Sequence, residues 1–132
     1  MKTVTIDTKK RNQMIDITSI VETSVSDTGI KDGMCYVFVP HTTAAVTINE
    51  NADEDVKVDI LNTLSKLIPY RDDYRHMEGN SDAHVKATLT GSTAAVIVQE
   101  GKLVLGTWQS LFFCEFDGPR KRKIMIKVVG DK

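Results

Sequence analysis

Apolar and polar residues alternate, or collect in short apolar runs, along most of this 132-residue chain. A period of two is the pattern of a half-buried β-strand, and a short apolar run is typical of a buried one. The pattern predicts strands over residues 3–8, 13–17, 34–39, 42–50, 93–99, 102–105, 111–116 and 123–129. Glu100-Gly101, between two of these segments, predicts a hairpin turn.

Two other segments have apolar residues at helical spacing. Ser19 and Asn51 each stand three residues before a glutamate, which is the capping-box pattern at the start of a helix. The first helix should end at Gly29 and the second before Pro69, because glycine and proline are frequent at these positions.

A third, shorter helix is expected over residues 83–89, after a polar loop at 70–82. Ser81 or Asp82 would cap its start, and Gly91 would follow its end. About seven strands with two or three helices predict the α+β class, with mixed or antiparallel sheets arranged like a β-sandwich.

Length and composition favour one ordinary globular domain over residues 1–132. Apolar residues make up 41% of the chain and charged residues 27%, which argues against disorder. The net charge of −1 gives no general attraction to nucleic acid or to an anionic membrane. No apolar run approaches the roughly 20 residues of a membrane span. The N-terminus alternates as a strand does and does not resemble a signal peptide, so we expect a cytoplasmic protein.

The sequence also excludes several classes of enzyme. It has no G-x-x-x-x-G-K-[ST], G-x-G-x-x-G or G-x-S-x-G motif, so nucleotide-driven motors, dinucleotide oxidoreductases and α/β-hydrolases are not expected. Cys35 and Cys114 both lie in apolar runs. They are expected to be buried thiols, not a disulfide or a nucleophile.

The three histidines of the chain are the main functional candidates. His41 follows a buried strand and a proline, whereas His76 and His84 enclose a polar segment that contains Glu78 and Asn80. Imidazole and carboxylate groups suit a divalent metal ion such as Zn²⁺, and three protein ligands with an open position form catalytic sites. The spacing matches no standard zinc motif, so the alternative is a set of polar loop residues.

Acidic residues cluster around the start of the second helix. They are Glu50, Asp53, Asp55 and Asp59, with Asn51 among them. The helix dipole favours carboxylates at this end of a helix, so a solvated face explains them as well as a bound cation does.

Two further segments carry groups that could bind a ligand. Trp108 and Gln109 follow a strand, where they could line a pocket or belong to the core or to an interface. The run Arg120-Lys121-Arg122-Lys123 could hold phosphate. Alternatively, it could be a solvated turn followed by an edge strand whose lysines discourage pairing with another strand.

Five groups of residues, in this order along the chain, closely resemble the YjbQ-like family. They are His41-Thr42-Thr43-Ala44 with Thr47-Ile48-Asn49-Glu50-Asn51-Ala52-Asp53, His76-x-Glu78-Gly79-Asn80 with Ala83-His84-Val85-Lys86, Gly91-Ser92, Leu105-Gly106-Thr107-Trp108-Gln109, and Cys114-Glu115-Phe116-Asp117-Gly118-Pro119-Arg120. The resemblance covers residues 3–130.

This resemblance implies a compact α+β domain that assembles as a homotrimer. Members of the family are linked to a weak, secondary thiamine-phosphate synthase activity. That reaction joins a hydroxymethylpyrimidine diphosphate to a thiazole phosphate with loss of pyrophosphate. The family's histidines are thought to form a metal- or anion-binding site, which by position is His41, His76 and His84 here.

The main interpretation is a metal-assisted enzyme that acts on a small phosphorylated substrate, with no nucleic-acid or membrane partner. A divalent metal, Zn²⁺ or Mg²⁺, would bind His41, His76 and His84. Glu50 or Glu78 would act as the general base. The substrate-binding residues would be Asn80, Lys86, Trp108, Gln109 and Arg120. The alternatives are a metal- or metabolite-binding module without turnover, and a structural homotrimer.

Overall fold

The computed structural model describes all 132 residues and contains eight strands and three helices. The strands are β1 (Lys2–Asp7), β2 (Gln13–Asp16), β3 (Gly33–Phe38), β4 (Ala44–Glu50), β5 (Thr93–Gln99), β6 (Lys102–Leu103), β7 (Gln109–Glu115) and β8 (Lys121–Gly130). The helices are α1 (Thr18–Thr28), α2 (Glu54–Leu67) and α3 (Ser81–Thr90).

The strands form two sheets in which every neighbouring pair is antiparallel. One sheet has five strands in the order β1-β8-β3-β5-β6, and the other has three in the order β2-β7-β4. With the three helices, this arrangement confirms the predicted α+β class with antiparallel, sandwich-like sheets.

The two sheets share the main hydrophobic core. Val37 and Ile124 of the five-stranded sheet pack in one buried cluster with Val46 and Phe113 of the three-stranded sheet. Val21 of α1 joins them. Because burying each such side chain contributes about 1.5–3 kcal/mol, this cluster fixes one sheet against the other and positions the connections between them.

The other side of the three-stranded sheet is covered by α2 and α3. Phe112 and Cys114 of β7 pack in a second cluster with Ala83 and Ala87 of α3. Three residues of α2 pack against this cluster, but α2 contributes no fully buried residue. The packing therefore holds α3 more firmly than α2.

The outer face of the five-stranded sheet is exposed. Tyr36 and Phe38 of β3, Ile97 of β5 and Val129 of β8 each expose between 40% and 56% of their surface. The strand register places these four side chains on the same side of the sheet. We call this apolar surface the outer sheet face.

The start of α1 differs from the predicted capping box. The Thr18 N–H donates to the Asp16 carboxylate at 2.9 Å, so Asp16 satisfies the helix start and the box at Ser19 is wrong. The predicted end is confirmed, because Gly29 adopts a left-handed conformation with φ of 70° directly after the helix.

Asp53 caps α2, so the box predicted at Asn51 is also wrong. The Asp53 carboxylate accepts a hydrogen bond from the Asp55 N–H at 2.9 Å. Asn51 instead donates its side-chain amide to Asp16 at 2.7 Å. Asp53 and Asp55 therefore have structural positions at the positive end of the helix.

Two predictions near the second half of the chain also need correction. Ser81 and Asp82 do not cap α3 but lie inside it, and the helix begins two residues earlier than expected, after Asn80. The basic run at 120–123 does not lead into an edge strand, because β8 lies between β1 and β3.

Both cysteines are buried free thiols, as predicted. Burial raises the pKa of Cys35 to about 11 and that of Cys114 to about 12. Neither side chain is therefore a thiolate at neutral pH. None of the helices is long and apolar enough to cross a membrane.

Candidate functional site

The candidate site lies where the chain passes between the two sheets. The connection from β3 to β4 carries His41 and Thr43, and the connection from β7 to β8 carries Asp117 and Arg120. The loop after α2 and the start of α3 contribute to the same pocket, which has a volume of about 440 Å³.

Eleven residues line this pocket, and all but the proline have polar side chains. They are Pro40, His41, Thr42, Thr43, His76, Glu78, Asn80, His84, Asp117, Arg120 and Arg122. The structure therefore brings all three histidines together within one chain. We call His41, Thr43, Arg120 and Arg122 the strand wall, and His76, Glu78, Asn80 and His84 the helix wall.

A buried ion pair supports the strand wall. Arg122 of β8 donates from Nε to Glu115 Oε1 at 2.7 Å and from Nη2 to the other carboxylate oxygen. The same Nη2 donates to Thr43 Oγ1 at 2.8 Å, and the Thr8 hydroxyl donates to Glu115. Because Glu115 and Arg122 belong to different sheets, the pair joins the sheets beneath the pocket. These hydrogen bonds use Nε and Nη2 and leave out Nη1 of Arg122, which lines the pocket.

His41 is held as a neutral imidazole that accepts a hydrogen bond. The pairing of β3 with β8 ends at Phe38 and Met125, and the Lys123 N–H beyond it donates to His41 Nε2 at 2.9 Å. With Nε2 as an acceptor, the ring proton of the neutral imidazole lies on Nδ1. Burial, and then the charge of Arg122, lower the pKa of His41 and favour this neutral form.

Asp117 positions residues from both walls. Its carboxylate accepts hydrogen bonds from Asn80 Nδ2 at 2.9 Å and from Arg120 Nη2 at 2.8 Å, and Arg11 approaches its other oxygen at 3.3 Å. Burial alone would raise the pKa of Asp117, but the bonds from Asn80 and Arg120 hold that pKa below its ordinary value. Asp117 is therefore a carboxylate that orients Asn80 and Arg120.

The helix wall supplies groups that can accept a proton. The ring centroids of His76 and His84 lie 5.4 Å apart, with the rings nearly perpendicular. His76 Nε2 lies 3.8 Å from Glu78 Oε2, which is too long for a hydrogen bond. These side chains are therefore close to one another without being tied to one another.

The predicted metal site does not fit the three histidines as a set. His41 Nε2 already accepts from Lys123, and its Nδ1 carries the proton, so neither nitrogen has a lone pair free for a metal ion. No group of three or more His, Cys, Asp or Glu side chains is arranged to hold a metal. Binding of a divalent metal stays a prediction. Zinc titration of the parent and of a His41→Gln variant tests it: equal zinc binding in both proteins agrees with a His41 that is not a ligand, and loss of zinc binding in the variant would contradict this.

Comparison with known proteins places this arrangement in a family. Residues 2–131 match the model of the family described as UPF0047 protein YjbQ-like. This chain belongs to the YjbQ-like family. Its resemblance to that family is therefore confirmed.

Several YjbQ-like relatives match over almost their whole length. The chain is 52% identical to a UPF0047 protein of Methanocaldococcus jannaschii, over 96% of this chain and 92% of the relative. It is 51% identical to the UPF0047 protein YugU of Bacillus subtilis, over 98% and 99% of the two chains.

Solved structures share the same fold. An uncharacterised YjbQ/UPF0047 protein from Clostridium acetobutylicum superimposes with a TM-score of 0.97 at 52% identity, over 98% of this chain and all of that one. A protein of unknown function from Sulfolobus solfataricus superimposes with a TM-score of 0.95 at 37% identity, over 98% and 96%. These relatives share the fold of this chain over almost their whole length.

Three predicted site residues of this YjbQ-like chain lie at the far end of β4. Glu50 ends the strand, whereas the pocket lies at its beginning, roughly 20 Å away at 3.3 Å per residue. Gln109 pairs with Glu50 and accepts from the Gly106 N–H, and Trp108 is 63% exposed beside it. The structure therefore does not bring Glu50, Trp108 or Gln109 to the histidines of the same chain.

Lys86 also lies outside the pocket. It is 2% exposed, and its ammonium group donates to Asn12 at 3.1 Å and to Ser65 at 3.2 Å. Asp82, which also binds Arg11 at 2.9 Å, lies 3.7 Å away. Burial lowers the pKa of Lys86, although the charge of Asp82 opposes this. Lys86 and Asp82 therefore join α3 to its neighbours and do not line the pocket.

Sequence reasoning gave no role to three residues that build the site, namely Thr43, Glu115 and Asp117, and it named Arg122 only within the basic run that could hold phosphate. The partner of Arg122 could not be read from the sequence, since Glu115 stands on another sheet.

Proposed function

We propose that this protein is an enzyme that acts on a small phosphorylated substrate by acid–base chemistry. The observation that carries the proposal is the pocket itself, in which hydrogen-bond donors on the strand wall face proton acceptors on the helix wall. Donors that stabilise the charge of a phosphate group and a base that takes a proton both contribute to catalysis on a phosphate ester.

The strand wall is suited to a phosphate group. Arg120 donates from Nε and Nη2 to Asp117 and keeps Nη1 free. Arg122 donates from Nε and Nη2 to Glu115 and likewise keeps Nη1 free. His41 adds a neutral N–H donor. Charge-assisted hydrogen bonds from guanidinium groups to phosphate are among the strongest in proteins, and here the donors are already held in place.

The helix wall then supplies the acid and base. His84, in the first turns of α3, and His76 each have an imidazole that can take a proton from a substrate hydroxyl or from water. Glu78 can accept a proton itself or stabilise a protonated His76 across the 3.8 Å between them. In this proposal the helix wall takes the proton from the hydroxyl or water that attacks phosphorus, and it returns that proton to the oxygen that leaves as the ester P–O bond breaks. The strand wall holds the phosphate meanwhile.

The test is a survey of phosphorylated compounds for turnover by the untagged protein. A His84→Gln variant should lose about 10²–10⁴-fold in rate on any compound that reacts, because general acid–base catalysis contributes this much. Val85→Gln is the matched control, since Val85 is the exposed next residue of α3 and lines neither pocket. Tight binding of a compound without product would contradict the enzyme and favour a binding module without turnover.

Thiamine-phosphate synthesis is a second candidate. Both substrates of that reaction carry phosphate groups, which the free donors of Arg120 and Arg122 can bind. Trp108 lies too far from the pocket to stack on a pyrimidine in the same chain. Incubation with hydroxymethylpyrimidine diphosphate and thiazole phosphate would show thiamine phosphate and pyrophosphate if this candidate is right.

We also propose that the chain works as a cytoplasmic homotrimer, as membership of the family implies. The outer sheet face offers each copy an apolar surface that a neighbour can cover, and the two free thiols suit a reducing compartment. Sedimentation equilibrium should give three times the 14.7 kDa of one chain. A monomer at micromolar concentration would contradict the trimer.

A further inference from the structure

A second pocket, with a volume of about 370 Å³, adjoins the first. His41, Thr42 and His84 line both, so the two compartments meet at these residues. The remaining lining residues of the second compartment all have small side chains. They are Ala44, Ala87, Thr88, Gly91 and Ser92.

The two compartments differ in chemistry. The first contains Glu78, Asp117, Arg120 and Arg122, whereas no Asp, Glu, Lys or Arg lines the second. The polar groups of the second compartment are hydroxyls and imidazoles. The Thr88 hydroxyl donates its proton to the His84 carbonyl at 2.9 Å, so its oxygen remains free to accept. The hydroxyls of Thr42 and Ser92 have no protein partner.

The space exists because the residues around it are small. Ala44 and Ala87 are buried, and no atom lies within 4 Å of the position where a Cβ at Gly91 would stand. Gly91 has a φ of 101°, which other residues rarely adopt, so the backbone itself keeps a side chain out of this position.

We propose that the second compartment binds the uncharged, hydroxylated part of the substrate while its phosphate lies in the first. This inference rests on the proposed function and narrows the substrate to a phosphate monoester of a short polyol or sugar. A second charged group would find no counter-charge there, and a purely apolar chain would leave the hydroxyls unpaired. The ester linkage between the phosphate and the hydroxylated part then lies at the junction, beside His41 and His84.

Calorimetric titration with three probes tests this assignment. They are inorganic phosphate, glycerol 3-phosphate and n-propyl phosphate, of which the last two have the same number of carbon atoms. Glycerol 3-phosphate should bind about tenfold or more tightly than inorganic phosphate, and more tightly than n-propyl phosphate, because each hydroxyl gains a hydrogen bond.

Ser92→Leu should fill the compartment without disturbing the fold, since Ser92 is exposed and makes no side-chain hydrogen bond. The variant should bind glycerol 3-phosphate no better than inorganic phosphate and should bind inorganic phosphate as the parent does. Thr93→Leu is the matched control, because Thr93 is exposed and lines neither pocket. Thr88→Val removes one hydroxyl and should lower the preference for glycerol 3-phosphate over n-propyl phosphate.

The possible results separate the two proposals. A parent that binds inorganic phosphate but shows no preference for glycerol 3-phosphate overturns the role of the second compartment alone. A Ser92→Leu protein that keeps the preference of the parent does the same. A parent that binds no phosphate compound at all overturns the proposed function, and the inference with it.

Discussion

The two walls of the pocket are built differently, although they face the same space. On the strand wall, the Arg122 side chain is 5% exposed and is bound to Glu115 and Thr43. On the helix wall, the side chains of His76 and Glu78 are 46% and 74% exposed and make no hydrogen bond to each other. Arg122 is therefore part of what holds the sheets together, whereas His76 and Glu78 can change with little effect on folding.

The largest expected effect lies at the buried ion pair. Arg122→Met leaves the Glu115 carboxylate buried without its main partner, so the free energy of unfolding should fall by about 3–5 kcal/mol. Urea denaturation measures the loss. The double variant Arg122→Met/Glu115→Leu removes both buried charges and should recover much of the stability. A single variant as stable as the parent would show that the strand wall does not support the fold.

The opposite result is expected on the helix wall. Glu78→Gln removes a proton acceptor from an exposed loop, so turnover of a phosphorylated substrate should fall by about 10²-fold while the free energy of unfolding changes by less than about 0.5 kcal/mol. Steady-state kinetics and urea denaturation of the same preparation give both values. Unchanged turnover with a clear loss of stability would reverse the roles of the two walls.

A smaller effect is expected at His41, in the pH dependence of the free energy of unfolding. Because burial and Arg122 lower the pKa of His41 below 6.5, the folded chain binds fewer protons than the unfolded chain in this range. This part of the stability is fully present above about pH 6.5 and is lost as the pH falls through the folded pKa. Urea denaturation at about pH 7.5 and about pH 5 gives the free energy of unfolding at each pH. The loss of this free energy on acidification should be smaller in His41→Gln than in the parent. Equal losses in the parent and the variant would mean that His41 is not held neutral.

Much of the fold followed from local patterns. Alternation predicted the strands, because half-buried strands must alternate, and Gly29 predicted the end of α1 because it adopts the left-handed conformation that glycine tolerates. The helix starts were misjudged for a physical reason. Asp16 and Asp53, which are not the predicted capping residues, accept from the free N–H groups instead, and a motif match cannot show which acceptor is nearer.

The candidate site was predictable only in part. His41, His76, His84, Asn80 and Arg120 carry polar groups in loops or at helix ends, and the fold gathers them in one pocket. Lys86 and Trp108 stand in equally distinctive segments, yet the fold buries one and places the other at the far end of β4. The local sequence shows which residues have side chains that can bind a ligand or transfer a proton. Only the order of strands in the sheets shows which of these side chains lie in the same pocket.

The claim that the strand wall holds a phosphate group is tested most directly by calorimetric titration with inorganic phosphate. Arg120→Gln removes a guanidinium that lines the pocket, and Lys121→Gln removes the same charge one residue later, outside it. We expect phosphate binding to weaken about tenfold or more in Arg120→Gln, as loss of a charge-assisted hydrogen bond requires, and to stay at the level of the parent in Lys121→Gln. Equal affinities in all three proteins, or equal losses in both variants, would contradict a phosphate site on this wall.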